Sequence, residues 1–252
     1  MKLIWTYNSN VVFGNQFGVN TPEMKVILIN YYIHSIQTAI NLNYYTIIYC
    51  DSKSYNIFKD VADEVIIVNN YENSPLWDSF KIKVLEDRKD NFCLIDGDVI
   101  LHSKLPQFTT DVVFDSYELN NFKYNYKDIL DYLTSVGIEN ELKVWENKQL
   151  PILSCGILSI RNEELKNKYI SNWKLYNQFI SKHIDNVDID LATMVGAQYL
   201  LSILSQNKSH TKLSNLVGYD NPYYKHYCGP IKYAKPIVPK NQIITNIKKE
   251  LL

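Results

Sequence analysis

Over the first 115 residues, short apolar runs alternate with stretches whose apolar positions recur every three or four residues. KLIWTY (2–7) predicts a strand. Thr21-Pro22-Glu23 then supplies a cap, a first-turn proline and a first-turn acid. The helix they open carries Met24, Ile27, Leu28, Tyr31, Tyr32, Ser35, Ile36 and Ala39 on one face. YYTIIYC (44–50) reads as a second strand, ending at Asp51-Ser52. A short helix around 55–61 leads to EVIIVN (64–69), a third strand. A helix containing Lys81 to Leu85 leads to FCLID (92–96), and DVVFD (111–115) is a fifth strand. Apolar runs separated by helical lengths favour parallel β-α-β units covered on both faces.

Regularity falls after residue 115. Residues 121–149 read as polar helix, with Trp145 in a charged context. PILSCGILSI (151–160) reads as one strand, whose central Gly156 predicts a bulge or a close backbone approach. Residues 163–180 form an amphipathic helix, and 188–206 another, capped by Asp188 or Asp190. The tail from Leu216 is rich in Tyr, Pro, Gly and basic residues.

With 252 residues and no clear linker, a single α/β domain is expected over 1–252. Two halves are expected within it, 1–115 and 116–252. Net charge of -1 argues against a chain built to grip nucleic acid. The 20 tyrosines reflect coding bias more than a site. Cys50, Cys93, Cys155 and Cys228 form no Cys-x-x-Cys pair, and three of them sit in or beside apolar runs. They read as core residues of a reducing compartment. MKLIWTYNSN lacks a signal peptide's apolar core, and no stretch reaches the ~20 apolar residues of a transmembrane segment. A cytoplasmic location is expected.

Candidate chemistry sits at strand ends. FCLIDGDVIL places Asp96-Gly97-Asp98 where a buried strand stops. The bland reading is a hairpin turn with two solvated acids. The sharper one is that residues i and i+2 of an extended segment point the same way and share a cation. Gly97 would then allow a ligand close to the backbone. Ligands of open α/β sheets bind at the carboxyl ends of strands, which also brings in Asp51. In the tail, KHYCGPIKYAKP (225–236) sets His226, Gly229 and Lys232 in the spacing His-x-x-Gly-x-x-Lys.

These two motifs, in this order, resemble metal-dependent glycosyltransferases of the GT-A fold. The match is to the retaining branch that includes glycogenin and bacterial lipopolysaccharide galactosyltransferases, family eight. The resemblance implies a Rossmann-like mixed sheet flanked by helices, with Asp-x-Asp at a central strand end. It implies a metal held by Asp96, Asp98 and His226. Hard cations take carboxylates, and the imidazole favours Mn²⁺ over Mg²⁺. Gly229 would admit backbone amides to phosphate, and Lys232 would put charge on the departing diphosphate. The implied donor contacts include Trp5, Thr6, Tyr7, Asp51 and Lys81. Three of them have a plain alternative: core for Trp5, a helix cap for Asp51, a solvated helix lysine for Lys81. The resemblance makes 1–115 the nucleotide-binding half and 116–252 the acceptor-binding half. The family's Asn-x-Gly reads Ser154-Cys155-Gly156 here, leaving Cys155 and Gly156 as sugar contacts. Its acid-Gln pair reads Ala197-Gln198. Gln198 would lie near the anomeric carbon, or Asp190 or Asp188 would supply a carboxylate there.

The implied reaction moves a hexose from a UDP-sugar to a carbohydrate, lipid-linked or protein acceptor, with retention. Other readings compete. A haloacid-dehalogenase phosphatase also uses Asp-x-Asp, but at the start of its domain and with a Thr after it. A nucleotidyltransferase wants a basic Gly-rich loop, and FGNQFGVN has no Lys or Arg. An inactive nucleotide-sugar- or carbohydrate-binding protein of the same fold is the non-enzymatic alternative.

Overall fold

The computed structural model describes residues 1–9, 21–69, 74–118, 126–214 and 221–227. Gly229, Lys232 and Cys228 lie outside them. The chain divides into two compact units. The first comprises 1–72, 90–107 and 218–252, and the second 73–89 and 108–217.

The first unit is built on parallel strands. These are β1 (Lys2–Tyr7), β2 (Tyr45–Cys50), β3 (Glu64–Ile67) and β4 (Phe92–Ile95), in the order β4-β1-β2-β3. Leu3, Ile4, Trp5 and Tyr7 of β1 are wholly buried, as are Ile47 and Ile48 of β2. That is the mark of strands covered on both faces. Helix α1 (Pro22–Asn41) starts where the cap signal put it, with Thr21 Oγ1 accepting the Met24 N–H at 3.2 Å. It buries a wider arc than the spacing predicted, because Ile29 and Ile33 are also in the core. Asp51 caps the 3₁₀ turn Ser52–Ser54, which runs into α2 (Tyr55–Phe58). After β4 the chain turns and enters β5 (Val99–Leu101), which pairs antiparallel with β11 (Tyr224–His226).

The second unit mixes orientations. β6 (Val112–Phe114) pairs antiparallel with β9 (Ile157–Ile160) and parallel with β10 (His210–Lys212). The expected single strand at 151–160 is in fact two. Ile152–Leu153 (β8) pairs with Tyr117–Glu118 (β7), whereas β9 pairs with β6. The chain changes ladders across Ser154–Gly156, where Ser154 N–H donates to Ser116 O at 2.8 Å. The helices are α3 (Ser79–Asp87), α4 (Tyr126–Ser135), α5 (Ile138–Glu141) and α6 (Glu163–Lys182). Trp145 packs in the core and stacks on Tyr176. The expected helix over 188–206 is interrupted. α7 (Ile189–Met194) and α8 (Leu200–Leu204) flank a π-helical turn, Val195–Tyr199. Asp188 is its cap, accepting the Asp190 and Leu191 N–H groups.

The α/β class is borne out, with parallel strands and helices alternating through the first unit. Among the described residues, no helix is long and apolar enough to cross a membrane.

Candidate metal centre

The Asp-Gly-Asp segment is a turn, closed by the Val99 N–H donating to Asp96 O at 3.1 Å. The two carboxylates are therefore brought together by a bend, not by the alternation of an extended strand. Nor is the turn a β-hairpin, since β5 leaves β4 and pairs with β11. In that ladder His226 stands opposite Val99, and the Tyr227 N–H donates to Asp98 O at 2.9 Å. The pairing delivers the imidazole to the turn. His226 Nε2 lies 3.3 Å from Asp98 Oδ1. One ligand atom each from Asp96, Asp98 and His226 falls within 4.8 Å of the others.

Ions with ligand distances of roughly 2.0–2.5 Å hold their ligands about 3–5 Å apart, so this donor set fits one divalent cation. His226 is 6% and Asp98 9% exposed, while Asp96 is half-buried. An ionised carboxylate as enclosed as Asp98 needs a counter-charge.

Helix α1 packs on the turn. Ser35 Oγ donates to Val99 O at 2.5 Å and accepts the Trp5 indole N–H at 2.9 Å. Tyr31 stacks at a tilt on Tyr227, and burial, with Tyr227 and Asp98 nearby, pushes its phenol up to about 12. Tyr32 donates to Thr6 O at 3.1 Å.

Of the strand-end residues expected to contact the donor, Trp5 and Tyr7 are wholly enclosed, Tyr7 edge-on to Tyr32 and Phe58. Burial first, then Tyr32 and Asp51, drives the Tyr7 phenol well above its ordinary value. Thr6 is half-buried. Asp51 accepts from Ser9 N–H at 2.5 Å on Oδ2 and from Ser54 N–H at 3.0 Å on Oδ1, with the Ser54 hydroxyl 3.1 Å from both oxygens. It acts as a cap that also pins the start of the loop after β1.

The remaining candidates belong to the second unit. Lys81 is 7% exposed; its ammonium donates to Cys155 O at 3.3 Å and lies over the Trp77 ring. The Tyr169 hydroxyl donates to Ala197 O at 3.1 Å, and the Cys155 thiol lies 3.5 Å from both Ala197 O and Leu153 O. Ala197 O is a carbonyl of the π turn. π turns occur often at functional sites. Gln198, on that turn, is buried 2.9 Å from Tyr126 Oη, which lies 3.0 Å from Glu118 Oε2. The Gln198 Oε1 is the atom that faces the phenol, so Tyr126 lies between the Gln198 amide oxygen and the Glu118 carboxylate. Asp190 lies in the first turn of α7, half-buried. Tyr126, Glu118 and the Ser35 relay were not read from sequence. Their only signal was polar residues on otherwise apolar faces.

No protein-family model matches the chain, and no curated protein matches it significantly. Among solved structures, it is similar to the galactosyltransferase LgtC in complex with donor and acceptor sugar analogues. The TM-score is 0.42 at 10% identity, covering 78% of this chain and 70% of that one. A likeness of that size assigns no activity to the chain.

Proposed function

We propose that the chain is a metal-dependent glycosyltransferase that moves a hexose from a UDP-sugar to an acceptor hydroxyl with retention. The observation that carries this reading is the convergence of Asp96, Asp98 and His226 at the carboxyl end of β4. Strand carboxyl ends are where open α/β sheets bind ligands.

Asp96, Asp98 and His226 would hold the cation, with Mn²⁺ favoured by the imidazole. When bound, such a cation neutralises part of a diphosphate's charge and so improves the leaving group. Lys232 and Lys81 would add positive charge for the same diphosphate. Gln198 would stand by the sugar, its amide oriented by Tyr126. In this mechanism the bond from the anomeric carbon to the phosphate oxygen breaks as the acceptor oxygen bonds to the same face. The acceptor's proton passes to the departing phosphate oxygen. Asp190 is the carboxylate alternative for the position by the sugar.

Calorimetric titration of UDP, GDP and CDP, with and without Mn²⁺, on wild type and His226→Ala tests the reading. UDP binding that requires both Mn²⁺ and His226 supports it and justifies a donor screen. No nucleotide binding under any condition rejects it. Binding without turnover of any UDP-hexose favours the inactive sugar-nucleotide-binding protein.

A further inference from the structure

Gly97 sits between the two acidic ligands, and something in the protein itself requires a glycine there. Its backbone is not the reason, since among the described residues Gly137 is the glycine with positive φ. The reason is contact. A Cβ at 97 would lie 2.3 Å from Cδ2 and Cε2 of Tyr32, and 2.5 Å from its Cγ. Those distances are far inside van der Waals contact. The clash reaches the root of the ring, so a small swing of its far end does not relieve it.

The ring is half-buried and held at several points. Its hydroxyl is bonded to Thr6 O at 3.1 Å. Tyr7 meets it edge-on with centroids 5.1 Å apart, and Phe58 lies 6.2 Å away on the same cluster. One turn further along α1, Ser35 holds Val99 O. Residues i and i+3 share a helix face, so α1 grips the turn at two points: Gly97 by shape and Val99 by a hydrogen bond.

We propose that Tyr32 is a positioning residue for the metal site: its ring is the seat for the Gly97 backbone and sets how Asp96 and Asp98 face each other. It touches neither metal nor substrate and acts through the turn. This inference rests on the reading of Asp96, Asp98 and His226 as a metal site.

The test is a double-mutant cycle with Gly97→Ala, Tyr32→Ala and the pair, read by Mn²⁺ titration and thermal midpoint in parallel. Wild type binds Mn²⁺. Gly97→Ala weakens binding at least tenfold. In the Tyr32→Ala background the same glycine change costs less than threefold, because the space is now free. Tyr32→Phe, which keeps the ring, stays within threefold of wild type, whereas Tyr32→Leu weakens binding several-fold. These last two variants keep the proposal testable if Gly97→Ala fails to fold. A stability role alone would move the midpoints and leave Mn²⁺ affinity untouched, and would overturn the proposal. So would a Gly97→Ala penalty equal in both backgrounds, or Tyr32→Leu binding as wild type does. Wild type that binds no Mn²⁺ overturns the metal site and this role with it. Wild type that binds, with no coupling between the two positions, overturns the positioning role alone.

Discussion

His226 stands opposite Val99 across the β5–β11 ladder, and that register sets its imidazole 3.3 Å from Asp98. A carboxylate and an imidazole far apart in sequence thus meet through backbone pairing. Because strand side chains alternate with period two, a slip of one residue would turn His226 away.

Mn²⁺ should therefore stabilise the fold, and His226 should set by how much. At about 100 times its dissociation constant, a ligand bound only by the native state adds about 2.7 kcal/mol. Changing a partner of a metal ligand weakens affinity about 10–100-fold, and loss of a ligand should do at least that. At the same Mn²⁺ concentration His226→Ala should then keep about 1.4 kcal/mol or less. Urea unfolding of both proteins, with Mn²⁺ and with chelator, reads the difference directly. Equal stabilisation of both would remove His226 from the site.

Ser35 joins β1 to β5 through one hydroxyl, accepting from Trp5 and donating to Val99. Trp5, Ser35 and Val99 are each 0% exposed. Ser35→Ala orphans an indole N–H and a carbonyl together, at about 1–3 kcal/mol per buried group. The expected loss is about 2–6 kcal/mol in denaturant unfolding. Trp5→Phe in the Ser35→Ala background should cost less than Trp5→Phe alone, since the indole donor is already unpaired. Additive losses would show that the relay is not one unit.

The first half of the chain was legible because each element there announces itself locally. β1 lies at the predicted Lys2–Tyr7, and α1 starts after the predicted Thr21 cap. Asp96 and Asp98 fall at a strand end as read, though a turn unites them. What escaped has long-range causes. β5 and β11 are three residues each, too short to show a period, and exist because they pair with each other. The break at Ser154–Gly156 comes from two partners competing for one apolar run, β7 and β6. The π turn at Val195–Tyr199 keeps helical spacing on both sides and leaves no mark in the pattern. Tyr32 was placed on the helix's inner face, but no periodicity says which backbone it meets.

Lys81 separates a structural from a binding role. Its stem is buried and its ammonium touches the Cys155 carbonyl and the Trp77 ring. Lys81→Met keeps the stem's volume and removes the charge. We expect a loss of about 1–3 kcal/mol in unfolding free energy, because the buried Cys155 carbonyl loses its donor. UDP affinity should fall about tenfold and lose part of its salt dependence. Calorimetry at two ionic strengths checks both. Unchanged UDP affinity would return Lys81 to a packing role.

Acid stability should report on Asp111. Its carboxylate accepts from Ser209 N–H at 3.0 Å, Ser209 Oγ at 2.8 Å and Asn162 Nδ2 at 2.9 Å. The Ser209 backbone bond first, then the Asn162 and Ser209 side chains, hold its pKa down from an ordinary 3.8 to about 2. A depressed carboxylate stabilises the fold above its unfolded pKa, and the contribution is lost as pH falls through the folded one. The window therefore runs from about pH 4 down to about 2. Over that range the urea midpoint of wild type should fall more steeply than that of Asp111→Asn, and the two curves should converge at its acid end. Asparagine removes the charge and turns one of the two acceptor oxygens into a donor, much as protonation of the carboxyl does. Parallel curves through the window would mean that the three hydrogen bonds to Asp111 persist when its carboxyl is protonated.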